Sequence, residues 1–229
     1  MAKTPDGILG VFTGSIGPVV GSSWKGIPYV KTKPRKTDRS KPRTEGRMAN
    51  EEKFKFGNNW LKPFHKFITI GFANLAIRKT EISAAFSYHF KHAITGVFPD
   101  LDIDYTKVMV SMGPLPQLTG ASIEFVAANT VKLSWPLNTE RYAEHDDQVM
   151  LVLYNKEIQF ADGFIGGIKR NAGECSYKIH SKLYGKPLEL YAGLFSINRK
   201  LISNSIYLGQ ILPTHNEEEF HQNQEPDQA

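Results

Sequence analysis

The chain has a single cysteine, Cys175, in 229 residues. That excludes an intrachain disulfide framework and any metal site built from cysteines alone, and it suits a reducing compartment. Long apolar runs are missing as well. The longest, Phe67 to Ile77, is broken by Thr69, Gly71 and Asn74 and falls well short of the ~20 residues needed to cross a bilayer. Ile8 to Phe12 is too short and too interrupted by glycine for a secretory core, so no classical signal peptide is expected and a cytoplasmic or assembly-associated location is favoured.

Chemical signatures are equally scarce. Gly163-Phe164-Ile165-Gly166-Gly167 lacks the Lys and Ser/Thr of a phosphate loop and reads as a turn. Asp100, Asp102 and Asp104 begin like a calcium loop, but Tyr105 stands where such a loop needs glycine and Ser111 where it needs a bidentate glutamate, leaving a polar turn. His89 and His92 are three apart on one helix and would need a third ligand from elsewhere to hold a metal, so one packed and one surface histidine are expected. Glu144-His145-Asp146-Asp147 reads as a solvated loop, and Cys175 and His180 have no third group near them in sequence. No catalytic set, cofactor or metal is called for, and the expectation is a protein that is not an enzyme.

What the chain does have is a segregated charge. The window Lys31 to Arg47 holds eight of the 28 basic residues and only two of the 23 acidic ones, leaving 20 against 21 everywhere else. Lys31, Lys33, Arg35, Lys36, Arg39, Lys41, Arg43 and Arg47 therefore carry the excess positive charge of the whole protein, with no apolar residue among them. Such a run is either a solvated connector held extended by Pro34 and Pro42 or a phosphate-binding arm. Without interleaved aromatics for base stacking, any nucleic-acid binding would be blind to sequence.

Around this linker (31–47) four further parts are expected. Residues 1–30 are rich in glycine, with Thr13-Gly14-Ser15 read as the turn of a β-hairpin and two or three short strands about it. So small a sheet cannot bury its own apolar residues, which makes Trp24 and Tyr29 candidates for docking on something distant. Residues 48–98 read as helical: a mediocre helix from Ala49 to Leu61 weakened by Gly57-Asn58-Asn59, a new start at Pro63, and a good helix from Thr80 to Ile94 with Thr80 as N-cap. The face of that last helix is aromatic, and Phe86 and Phe90 are its candidate docking residues. From 99 to 213 the period drops to two. Strands are predicted at Val108–Met112, Ser122–Val126, Val131–Trp135, Val149–Tyr154, Ile158–Ala161, Tyr177–His180, Leu188–Phe195 and Ser205–Leu212, with Val149–Tyr154 central because it is apolar on both faces. The fold class is therefore α+β, with an N-terminal Gly-rich hairpin, helices, and a C-terminal antiparallel sandwich of immunoglobulin or fibronectin III type. Residues 214–229 are an acidic tail, expected to be disordered.

The residues also carry a resemblance. Gly7 to Gly26 with its repeated glycines and Trp24-Lys25-Gly26, the basic Pro/Arg linker, Ala93-Ile94-Thr95-Gly96 leading to Ile103-Asp104-Tyr105, and Ser203-Asn204-Ser205-Ile206-Tyr207-Leu208-Gly209 together resemble an uncharacterised domain-of-unknown-function family of Bacteroidota proteins. That resemblance covers nearly the whole chain except the tail, and implies a Gly-rich start, a helical middle and a β-rich end with no assigned activity. Ser40 to Gly46 departs from the family pattern at Gly46, which interrupts the helix start the family implies. A shorter similarity links the opening to small proteins of bacteriophage structural gene clusters and implies an assembly role. The expected function is that of a structural or interaction protein with protein partners, as a homo-oligomer or a larger assembly. The alternative is sequence-independent nucleic-acid binding through the linker.

Overall fold

The computed structural model describes residues 3, 10–24, 26–34, 42–76, 79–127, 129–137 and 140–212. The acidic tail and the middle of the basic run, with Arg35, Lys36, Arg39 and Lys41, lie outside the described residues. Two compact units make up the chain, Met1–Glu45 and Gly46–Ala229.

The first unit is an antiparallel meander of β1 (Gly14–Ile16), β2 (Val19–Trp24) and β3 (Ile27–Thr32). Its first turn is not at Thr13-Gly14-Ser15, because Gly14 and Ser15 pair with Gly21 and Val20 inside the sheet. The chain reverses at Gly17-Pro18 instead. Gly17 takes φ +55°, and the ring of Pro18 holds the next φ negative, which is the pattern of a type II′ turn. That loop lets Ile16 pair with Val19. Phe12 lies over Gly21, where a Cβ would fall 2.1 Å from the Phe12 carbonyl oxygen.

The second unit opens with α1 (Glu45–Leu61), α2 (His65–Gly71) and α3 (Glu81–His92). Helix α1 begins inside the stretch read as linker and accepts Gly46 in its first turn, where added side-chain atoms would meet nothing. It also runs unbroken through Gly57, the residue expected to weaken it. A Cβ there would lie 2.6 Å from Ile94 Cδ1 and 3.0 Å from Phe86 Cε2, so glycine is what allows α1 to cross so close to α3. The ~1 kcal/mol propensity cost of that glycine is offset by this contact. Thr80 caps α3 as expected, its Oγ1 accepting from the Ser83 amide at 3.1 Å. After α3 the chain enters a hairpin of β4 (Ile94–Val97) and β5 (Asp100–Ile103), with Gly96 at φ +80° inside β4.

Seven strands follow: β6 (Ser122–Ala127), β7 (Thr130–Ser134), β8 (Gln148–Asn155), β9 (Phe160–Lys169), β10 (Glu174–Lys178), β11 (Leu188–Phe195) and β12 (Ile206–Ile211). They form two antiparallel sheets, β6-β7-β10 and β9-β8-β11-β12. This three-on-four arrangement is a sandwich of the immunoglobulin and fibronectin III kind, so the α+β class and the C-terminal sandwich are as expected. Strands β8 and β11 are central and buried along their length. Their alternation explains why both faces are apolar. Val149, Leu151, Leu153, Leu188, Leu190 and Leu194 point into the sandwich against Val131, Leu133 and Trp135. Met150, Val152, Tyr154, Tyr191 and Phe195 point the other way, into a second core with Trp60, Leu61, Phe64, Phe67 and Phe72 of the helical segment. The unit is thus three layers deep, each fully buried large apolar side chain contributing about 1.5–3 kcal/mol.

Two predicted features take different forms. Val108–Met112 is not a strand, although Val108 and Val110 are buried as its alternation requires. Its amides bond elsewhere: Met109 to His89 Nε2, Val110 to Ser205 Oγ, and Met112 to the Gly71 carbonyl at the end of α2. Gly163 to Gly167 is not a turn but lies within β9, where Gly163, Gly166 and Gly167 all have positive φ. The pairing of β8 with β9 slips between Gln148 and Met150, and the Gln148 side-chain oxygen accepts from the Gly167 amide across the bulge.

Candidate functional site

Cross-strand partners share a face of a sheet, and successive residues alternate between faces. The pairs Trp24 with Ile27, Ser22 with Tyr29 and Val20 with Lys31 therefore place Trp24, Ile27 and Tyr29 together on one side of the N-terminal sheet. Trp24 is 50% exposed, Ile27 54% and Tyr29 42%, and every residue of β3 is exposed. The ammonium of Lys31 stands 5.8 Å from the Tyr29 ring centroid. On the opposite face Phe12 covers Gly21 while Val30 is bare.

The basic run begins at the end of this sheet. Lys31 and Lys33 are exposed, as is Arg43, and Arg47, in the first turns of α1, donates from Nε to Glu51 at 2.8 Å. That exposed pair is worth only a few tenths of a kcal/mol but commits one of the eight cations. Phe86 and Phe90 behave differently from Trp24 and Tyr29. Both are half-buried, Phe86 edge-on to Phe54 of α1 at 4.8 Å and Phe90 beneath the Lys53 ammonium at 5.0 Å. The aromatic face of α3 finds much of its cover within its own chain.

Other sequence candidates become structural parts. His89 is buried, its Nδ1–H donating to the Ala85 carbonyl at 2.7 Å and its Nε2 accepting from the Met109 amide at 3.2 Å. Burial lowers its pKa to about 4, so the ring is neutral, while His92 is exposed beside Tyr88. Asp104 caps the turn that follows it, accepting from the Thr106 amide, and pairs with Lys107 at 2.7 Å. The hydrogen bond from Lys107 leads the interactions that hold the Asp104 carboxyl below its usual range. Burial raises the Cys175 thiol to about 11, which makes it a poor nucleophile. Glu144–Asp147 is only partly a solvated loop, because Asp147 is buried and bonded to Arg170 Nη1 at 2.9 Å. The sequence hides this pair, since its partners are 23 residues apart and neither is flanked by a distinctive motif. No cluster of three or more His, Cys, Asp or Glu side chains suited to a metal occurs among the described residues. No described helix is long and apolar enough to cross a membrane.

One cleft also escaped the sequence, because its walls come from four separate segments. About 540 Å³ in volume, it lies between the end of α1 (Phe56, Asn59, Trp60, with Lys62 just beyond), β5 (Leu101, Asp102, Ile103), Tyr105, and the end of β8 with the connection to β9 (Tyr154, Lys156, Gln159). The rings of Tyr105 and Tyr154 are 6.0 Å apart. Burial raises both phenols, Tyr154 to about 12, which keeps them protonated as donors at neutral pH.

Comparison with known proteins places the chain in a family. No curated protein matches the chain. Among solved structures, the fn3 domain of human collagen alpha-1(XX) chain is similar at 5% identity and a TM-score of 0.32, covering 43% of this chain and 84% of that one. The fn3 domain of human contactin 1 is similar at 9% identity and a TM-score of 0.31, covering 42% and 76%. A family of unknown function, DUF6266, matches residues 11–209. From Val11, inside the Gly-rich opening, to Gly209 in the last strand of the sandwich, the chain belongs to the DUF6266 family.

Proposed function

We propose that this protein is a non-enzymatic interaction module whose N-terminal sheet docks on further copies of the same chain, as part of a homo-oligomer or larger assembly. One observation carries the reading: the exposed stripe of Trp24, Ile27 and Tyr29 on a sheet of only three short strands. Apolar side chains gathered on one face of a small sheet are characteristic of contact surfaces, and a meander of this size gains stability from being covered. Strand β3 has no further strand on its outer side among the described residues, which leaves an edge that a neighbouring chain can meet. Replacement of Trp24 and Tyr29 together by serine should release monomers. Buried interface aromatics cost about 2 kcal/mol or more each on truncation, which is about thirtyfold in Kd per residue. Sedimentation of the intact chain and of the double variant across a range of concentrations measures this. A wild-type chain that stays monomeric at high concentration, or a variant that assembles equally well, would overturn the reading.

Charge segregation favours one second reading, a phosphate-binding arm at Lys31 to Arg47. An arm of this kind that neutralises six or more phosphates should lose about a thousandfold in duplex affinity between low and moderate salt. Neutralising Lys31, Lys33, Arg35, Lys36, Arg39, Lys41 and Arg43 should abolish binding of a labelled generic duplex. Binding that ignores both salt and these substitutions removes this reading.

A further inference from the structure

The cleft between the end of α1 and the β8–β9 connection is built mainly of hydrogen-bond donors and rings. Trp60 is 4% exposed, lines the cleft, and carries an indole N–H with no hydrogen-bond partner. A buried donor left unpaired costs about 1–3 kcal/mol, so such a group is expected to have an acceptor when the protein is at work. Lys62 and Lys156 bring two ammonium groups to the same cleft, and neither has an ion-pair partner among the described residues. Asn59 and Gln159 add amide donors and Tyr154 a phenolic one, while the Tyr105 hydroxyl is engaged with Tyr154. Among the residues that line the cleft Asp102 is the one carboxylate, and one of its oxygens already accepts from the Ile103 amide at 2.8 Å.

We propose that this cleft is a binding site for a small ring-bearing carboxylate, its ring resting on the Trp60, Tyr105 and Tyr154 side chains and its anionic oxygens taken by Lys62, Lys156 and the neighbouring neutral donors. Charge decides between anions. Two lysines against one aspartate leave a net single positive charge, which matches a monoanion and disfavours a doubly charged phosphate beside Asp102. Volume decides the size, since about 540 Å³ lies within the range of small-ligand sites and accommodates one ring with its substituents. The rings accept either an aromatic face or the C–H face of a sugar, so the shared chemistry is a carboxylate on a six-membered ring. This proposal stands apart from the docking role of the N-terminal sheet and does not depend on it.

The test is a titration of the full chain followed through the indole N–H resonances of its three tryptophans. Glucuronate and 4-hydroxyphenylacetate are the two carboxylate probes, glucose and 4-hydroxyphenylacetamide their neutral counterparts, and inorganic phosphate, in mildly alkaline buffer where it is doubly charged, the dianion. The Trp60 resonance, assigned by its loss in Trp60→Phe, should shift saturably with at least one carboxylate, and which one responds identifies the ring. The neutral counterparts and phosphate should bind about tenfold more weakly or worse, as should the carboxylate to the Lys62→Gln/Lys156→Gln variant, whose substitutions lie at the polar wall and spare the fold. No saturable shift up to about ten millimolar probe, equal binding of a neutral counterpart or of phosphate, or unchanged affinity in the lysine variant would each overturn the proposal.

Discussion

Replacing Arg170 by methionine is expected to destabilise the protein by about 3–5 kcal/mol, the cost of stranding one member of a buried ion pair. Arg170 is 2% exposed and Asp147 not at all. The guanidinium does more than neutralise Asp147. Its Nη2 donates to the Pro116 carbonyl at 2.6 Å and the Gln117 carbonyl at 3.3 Å. The Arg170 carbonyl accepts from the Trp135 indole at 2.7 Å, and the Arg170 amide donates to the Asp147 carbonyl. Asp147 in turn accepts from the Glu144 amide through Oδ2 at 3.2 Å. Four stretches of chain therefore meet at one charge pair. Burial outweighs this pairing and holds the Asp147 carboxyl above its ordinary range, so without Arg170 the carboxyl would take up a proton or draw water into the core. Urea unfolding of Arg170→Met against wild type reads the loss as a drop in midpoint. The double variant Arg170→Met/Asp147→Leu should recover much of it, because a buried pair replaced as a whole by apolar side chains is often nearly neutral. A single variant within about 1 kcal/mol of wild type would show that the pair behaves as a surface contact.

Acidification should remove about 2 kcal/mol of stability between pH 7 and pH 5 through His89 alone. The sign follows from the two states. Unfolded, the imidazole protonates near 6.5; folded, burial lowers its pKa to about 4. Between those values the unfolded chain binds the extra proton, so stability falls as pH falls through that window. Once both states are protonated the full loss is about 3 kcal/mol. Protonation would also put a hydrogen on Nε2, which in the neutral ring accepts from the Met109 amide, turning an acceptor into a donor facing a donor. The groups around the ring offer no compensation, since Trp60, Phe72 and Tyr88 pack against it and His92 opposes a second positive charge. Carboxylates titrate in the same range, so the decisive quantity is the difference between wild type and His89→Gln. Unfolding free energies at pH 7, 6 and 5 should fall less steeply in the variant, and parallel slopes would remove His89 from the account.

The strands were legible where one period ruled. Val131, Leu133 and Trp135 alternate cleanly because β7 faces the core on one side only, and β8 read as central because its second face is also buried. The second cover itself was not legible. Nothing in Phe86 and Phe90 says whether the helix surface they belong to meets Phe54, 32 residues before Phe86, or a different molecule, since an aromatic stripe looks the same in either case. Local glycine rules failed where tertiary contacts chose the glycine: Gly57 serves a helix crossing, Gly163 sits where a Cβ would fall 2.0 Å from the Leu151 carbonyl oxygen, and Gly14 yields the turn to Gly17. The Val108–Met112 segment has the alternation of a strand but spends its amides on a histidine, a serine and a helix end, partners that periodicity cannot name. Of the candidate sites, the N-terminal stripe was readable because its apolar residues are close in sequence. The cleft was not, because Trp60, Asp102, Tyr105 and Lys156 meet only after folding.

The four-stranded sheet has a consequence for how this architecture can change. In a free-standing sandwich the outer face of such a sheet is wet, and strands can drift there toward polar residues without penalty. Here Met150, Val152, Tyr154, Tyr191 and Phe195 make that face as dry as the inner one, so the sheet acts as a wall shared by two rooms. Neither room can be remodelled, lent to another protein or lost without exposing the other through the same strands. The freedom to vary is left to what the wall does not build: the separate N-terminal unit and the loops at the ends of the sandwich.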